Sequence, residues 1–305
     1  MVAALTRRAL VSLPLVAAMA GCTGGSGRSG VVVTTNILGD LARNVIGGQA
    51  DVTVLMAAGA DPHSFGVSAR QAASLERAEL LIHNGLGLEE GVLAHVEAAA
   101  AAGVPDLAVG ERVDPIEYTA DETAGQPDPH FWTDPVRVGE AVGIIAEQVV
   151  EHVSGIDAEQ VRANAEAYRA QVDELHERTT ELFDAIPEER RRLVTNHHVF
   201  GYLAERYGFE VVGAVIPSGT TLASPSGSDL KDLADAVAES GVPVVFADSS
   251  QPERLIEAMA EETGLDIAIV PLFTESLTEP GQGAGTYLDM AASNAQAIAD
   301  GLGRH

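Results

Sequence analysis

The sequence has one cysteine, Cys22, so no internal disulfide can staple the fold. Aromatic residues are scarce, at 4%, and only 18 lysines and arginines stand against 45 aspartates and glutamates, a formal charge of −27. That shortage of basic side chains excludes a nucleic-acid binder, which needs a cationic face to displace counterions from phosphate. Cations are the natural company of so acidic a surface. Apolar runs long enough for a transmembrane helix, roughly 20 residues, are also missing. The most apolar stretch, ALVSLPLVAAMA, follows Arg7 and Arg8 and has the length of a secretory signal core.

That stretch ends in AMAGC, and small residues before a cysteine at the end of a signal core resemble the bacterial lipoprotein signal. Residues 1–21 therefore read as a signal peptide and Cys22 as a lipidated mature N-terminus, although Met19 stands where that motif usually has leucine. The alternative is an ordinary signal with an incidental cysteine. TGGSGRSG follows, so 22–30 read as a flexible tether. The expected location is the extracytoplasmic face of the cell membrane, held by lipid, or the periplasm.

What is present is ample apolar material, 46% of 305 residues, enough for about two domains. Short β-branched runs alternate with longer amphipathic ones. VVVTT, VTVLM, LLIH and PDLAV mark four strands in the first half; LVT, VVGAV, PVVFA and DIAIV mark four in the second. The alternation predicts an α/β fold of two small lobes, each with a parallel sheet. Between them Val161, Ala165, Tyr168, Val172, Leu175, Thr179, Leu182 and Ile186 form a single apolar stripe. Asp157 is the expected N-cap and Pro187 the stop. The organisation expected is an N-terminal lobe over 31–155, a linking long helix over 156–187 and a C-terminal lobe over 188–305.

Asp-Pro-His occurs twice, in DPHSF from Asp61 and in DPHFW from Asp128. His63, His130 and His197 each follow a predicted strand, at the carboxyl edge where open α/β sheets bind ligands. Glu275, in PLFTES, follows the last strand of the second half. Neutral imidazoles and one carboxylate are the donors a tetrahedral zinc site uses. Proline before a histidine stiffens the turn and lowers the entropy lost when the ring is fixed. Asp61 and Asp128 then have two open roles: accepting backbone amides, or setting a ring's tautomer. His83 reads as structural, and His95, His152, His176 and His305 as solvated. Trp132 reads as a packing wall. An imidazole with an ordinary pKa near 6.5 must lose its proton to bind, so affinity is expected to fall below about pH 6.

Together, TTNILGDLARNV, DPHSF, HNGLGLE, DPHFWTDP, TNHHVFGYLAERYGFE, EETG and TYLDMAASNAQAIADGL resemble the zinc and manganese substrate-binding lipoproteins of ABC transporters. The resemblance runs from about Val31 to Leu302. It implies two α/β lobes, a long rigid helix and one metal in the interlobe cleft. It puts the ligands on His63, His130, His197 and Glu275, the last where relatives carry aspartate in a stretch like FTDS. His198 and Asp248 are the alternatives to that substituted position. The histidine-rich insertion of many zinc-type relatives is absent, and the loop holding Asp121 and Glu122 reads as solvated.

Three imidazoles and one carboxylate favour Zn2+ over Mn2+, which prefers more oxygen donors. The expected function is capture of Zn2+ for delivery to an ABC permease and its ATPase, by a monomer, with a metallochaperone as a possible loading partner. Other readings are a manganese-binding protein of the same family and a metal-binding surface adhesin. An enzyme is disfavoured, because a carboxylate closing the coordination sphere removes the open position that Lewis-acid chemistry needs. The chain also has neither HExxH nor GxSxG.

Overall fold

The computed structural model describes residues 30–118, 124–216, 244–249 and 268–303, with isolated positions between 217 and 243; for Asn196, His197 and 214–216 it describes the backbone alone. Cys22, the tether before Gly30, Asp121, Glu122 and His305 lie outside the described residues. Among the described residues no helix is long and apolar enough to cross a membrane.

The first half forms β1 (Val31–Val33), α1 (Asn36–Ile46), β2 (Val52–Val54), α2 (Ala69–Leu75), β3 (Leu80–His83), α3 (Leu93–Ala101) and β4 (Asp106–Ala108). Two long helices follow, α4 (Pro135–His152) and α5 (Ala158–Asp184). The second half gives β5 (Arg192–His197), α6 (Gly201–Tyr207), β6 (Glu210–Ile216), β7 (Val244–Asp248), β8 (Ala268–Leu272) and α7 (Tyr287–Gly303). The eight strands among the described residues fall on the eight runs expected from sequence. They pair in parallel into two sheets of the same order, β2-β1-β3-β4 and β6-β5-β7-β8. The order reverses beside the first strand of each sheet, which opens a crevice at the carboxyl ends of the strands.

The strands read as near-continuous apolar runs because both faces of the first sheet are covered. Val31, Val33 and Ile82 face a core built with α1, α4 and α5, while Val32 and Leu81 face Leu75 and Val96 on the other side. A separate core under the second sheet holds Leu193, Val244, Phe246, Phe183, Phe200 and Ile298.

Two long helices contribute to both cores, as does the short α6 through Tyr202 in the first and Leu203 in the second. Asp157 caps α5 by accepting the N–H groups of Glu159 and Gln160, and the helix runs about 40 Å at 1.5 Å per residue. Its Val161, Ala165, Tyr168, Val172 and Leu175 enter the first core and Phe183 enters the second. The stripe shifts by one residue at its end: Phe183 is buried where the sequence pointed to Leu182, because the larger ring four residues after Thr179 fills the space against Tyr207 and Phe209. In α7, Tyr287 and Met290 pack on the first core, and Ala295, Ile298 and Leu302 on the second. The lobes are thus braced along one side by two helices.

Candidate metal centre

Each Asp-Pro-His turn is held by its aspartate, but in a different way. Asp61 Oδ1 accepts the His63 N–H (2.9 Å) and Oδ2 accepts the hydroxyls of Ser64 (3.0 Å) and Thr221 (2.6 Å). Asp128 Oδ1 accepts both the His130 N–H (2.9 Å) and the ring Nδ1–H (2.7 Å). The second contact fixes the tautomer, so His130 presents Nε2 to the site. The sequence left both roles open; the geometry gives Asp128 both.

The two Nε2 atoms converge on one carboxylate oxygen. Glu275 Oε1 lies 3.1 Å from His63 Nε2 and 3.0 Å from His130 Nε2, with the two imidazole centroids 5.7 Å apart. All three side chains are at most 1% exposed. Among the described residues these three alone form a group able to hold a metal ion, their ligand atoms lying within 4.8 Å of one another. For an ion with bonds near 2.0–2.1 Å in tetrahedral array, neighbouring donors stand about 3.3 Å apart. The two imidazole–carboxylate separations fall short of that spacing by only a few tenths of an ångström.

His130 is the electrostatic centre of the group. Burial alone lowers its pKa, but the charge and hydrogen bond of Asp128, joined by Glu275, outweigh it and push the imidazole up to about 9. Tyr118 places its hydroxyl 3.3 Å from His130 Nδ1, and burial with the Asp128 charge pushes the phenol upward, keeping it neutral. Trp132 packs against the His130 ring in a T-shaped arrangement, with centroids 5.3 Å apart, and donates its indole N–H to Thr274 O (2.7 Å). The ring is therefore a wall, as expected, and also a tie to the neighbour of Glu275.

His197 is the last residue of β5, paired with Ile216 at the carboxyl edge; its side chain lies outside the described residues. Asp248 ends β7, buried, and His198 lies with its ring 6.4 Å from that of Tyr118; neither joins the three-residue group. His198 instead lines a cleft of about 370 Å³ with Tyr118, Asp128 and Glu205. His83 is structural, buried at the end of β3 with Nε2 3.3 Å from Asp106. His95 is exposed and His152 partly so, whereas His176 is half-buried with its Nδ1 2.9 Å from Tyr207 Oη. That last contact overturns its reading as solvated: α6 covers this face of α5.

Residues missed in the sequence reach the site from a distance. Tyr202 Oη donates to Asp128 O (2.6 Å), and Gly201 lets α6 approach so closely that a Cβ there would stand 2.6 Å from Asp128 Oδ2. Buried Asp134 caps α4 and accepts from Arg137 Nη1 (2.8 Å) and Arg206 Nη2 (2.8 Å), joining α4 to α6 just beyond the His130 turn. The TDP of DPHFWTDP hinted at a capped helix start; nothing in the sequence pointed to Arg206 as its partner.

Comparison with known proteins gives the family. Residues 31–301 match the family described as zinc-uptake complex component A, periplasmic. The manganese-binding lipoprotein MntA of Halalkalibacterium halodurans is 30% identical over 89% of this chain and 88% of its own. The zinc-binding protein TroA of Treponema pallidum is 29% identical over 91% of this chain and 90% of its own. A solved structure of the Treponema pallidum periplasmic zinc-binding protein TroA superposes with a TM-score of 0.82 over 90% of this chain and 99% of that one. With its twin parallel sheets and matching length, the chain belongs to the zinc-uptake complex component A family, whose members are metal-binding solute receptors of ABC transporters and not enzymes.

Proposed function

We propose that this chain is the extracytoplasmic zinc receptor of an ABC importer, capturing Zn2+ with His63, His130, His197 and Glu275 and handing it to a permease driven by an ATPase. The observation that carries the reading is the convergence of two buried imidazole Nε2 atoms on one buried carboxylate oxygen. Nitrogen-rich donor sets suit zinc, whereas manganese suits oxygen-rich ones. His197 ends β5 in the second sheet, the sheet whose β8 leads into Glu275, and a third imidazole from there would bring the nitrogen count to three. Both TroA, named for zinc, and MntA, named for manganese, are similar to this chain, so it is the nitrogen-rich donor set that supports zinc.

Capture follows from electrostatics and geometry. An acidic surface draws the hydrated cation. Asp61 and Asp128 have already fixed the two turns, so little ordering entropy remains to be lost on binding. Asp128 takes the Nδ1–H of His130 and leaves Nε2 to donate its lone pair, while Trp132 keeps water from the ring. The lobes divide near 155 and 188 with α5 as a stiff brace, which favours small relative shifts during transfer to the permease.

Calorimetry with Zn2+ and Mn2+ on the purified protein and on His63→Ala, His130→Ala, His197→Ala and His95→Ala tests the reading. The first three variants weaken zinc binding by at least about tenfold and His95→Ala leaves it unchanged. Equal behaviour of all four would refute the ligand set, and tighter binding of Mn2+ than of Zn2+ would make this a manganese receptor.

A further inference from the structure

Glu275 comes from the second half of the chain, three residues beyond β8, yet the segment that carries it is fastened to the first lobe. Asn36, the first residue of α1 and 9% exposed, donates its two Nδ2 hydrogens to Ser276 Oγ (2.8 Å) and Ala57 O (3.1 Å), with Leu277 O a longer, shared contact at 3.4 Å. Its Oδ1 accepts the Leu277 N–H (2.9 Å). A primary amide offers one acceptor and two donors, and here it matches the N–H and C=O of Leu277 as a neighbouring strand would. Gly59 N–H adds a bond to Leu277 O (3.0 Å) from the loop that leads to His63. On the other side of Glu275, Trp132 Nε1–H binds Thr274 O (2.7 Å) from the turn that carries His130. The Leu277 side chain is buried in the first lobe's core with Ala284 and Tyr287.

We propose that Asn36 is the positioning residue for Glu275, making that carboxylate a fixed member of the half-site formed with His63 and His130. The three donors then move as one body when the halves of the chain shift, and a shift that loosens the site acts on the donor outside this trio. The inference rests on the metal site proposed above and deepens it. It replaces an even division of the ligands between two moving lobes with a preformed trio on one of them. To part Glu275 from the histidines, the bonds through Asn36, Gly59 and Trp132 would have to break together, and each leaves a buried polar group without its partner.

The test is a double-mutant cycle on the zinc dissociation constant, using Asn36→Ala and Glu275→Gln, with hydrogen exchange at the Leu277 amide of the unmodified protein. Asn36→Ala weakens zinc about ten- to a hundredfold, the range for groups that orient a ligand. In the Glu275→Gln background the same change costs less than about threefold, because the carboxylate it positions is already gone; a residue that merely supports the fold would weaken both backgrounds alike. The Leu277 amide is protected equally with and without Zn2+. Additive effects, or rapid exchange at Leu277 in the metal-free protein, would overturn the inference, and the exchange arm reads out even where Asn36→Ala fails to fold. If Glu275→Gln leaves zinc affinity intact while His63→Ala weakens it, the ligand reading of Glu275 fails instead, and that result is separate.

Discussion

Proton competition at His130 is the sharpest quantitative consequence of the site. With an ordinary imidazole, zinc binding would level off above about pH 7. Here Asp128 and Glu275 outweigh burial and lift His130 to about 9, so the metal-free protein carries a proton on this ring at neutral pH. Zn2+ must displace that proton from Nε2. Apparent affinity therefore rises close to tenfold per pH unit between 7 and 8.5, and about one proton is released per ion bound. The sign for stability runs the other way in the metal-free state. A folded pKa raised above 6.5 gives stabilisation that is complete below about pH 6.5 and lost as pH climbs to about 9, on the order of 3 kcal/mol at most. The gap in Tm between zinc-bound and metal-free protein consequently widens with pH across that window. Calorimetry at pH 7.5 in buffers of different ionisation enthalpy counts the protons directly. Asp128→Asn removes the main upward influence, so proton release near neutrality falls towards zero while intrinsic binding weakens. A flat affinity from pH 7 to 8.5 with no proton released by the unmodified protein would refute the reasoning.

Three further outcomes follow from the geometry. Gly201→Ala puts a methyl 2.6 Å from Asp128 Oδ2 and forces that carboxylate off the His130 ring, so zinc affinity drops about tenfold with little change in helix content, read by titration and circular dichroism. Asp134→Ala takes from the buried Arg137 its closest carboxylate, leaving Glu205, and removes the cap of α4, costing about 3 kcal/mol in chemical denaturation; a loss below 1 kcal/mol would mean that the α4–α6 tie is not structural. His83→Ala disturbs only the contact with Asp106, so it lowers Tm modestly and leaves zinc affinity unchanged; a tenfold loss of affinity would make His83 part of the site.

The fold was legible because its signals are local. Eight short β-branched runs separated by helical patterns gave eight parallel strands, and Asp157 followed by a four-and-three stripe gave α5 with its cap. The two Asp-Pro-His turns were legible for the same reason, since proline and aspartate act within two residues of the histidine they hold. What could not be read was pairing at a distance. Asn36 and Leu277 are 241 residues apart, and Arg206 and Asp134 are 72 apart; no spacing rule joins them. Phe183 replaced Leu182 in the stripe, and His176 found Tyr207, because α6 and the second core decide which face of α5 is covered. The expected fall of affinity near pH 6 assumed an unperturbed imidazole. The Asp128 contact that moves it was among the roles left open by sequence, and the approach of Glu275 is a tertiary fact.

Anomalous diffraction at the zinc edge from crystals of the zinc-loaded protein would locate the ion and its ligands together. One strong peak is expected, bonded to His63 Nε2, His130 Nε2, a Glu275 oxygen and His197, with donor distances near 2.0–2.2 Å. A peak elsewhere, or an ion at this place without Glu275 among its ligands, would contradict this ligand set.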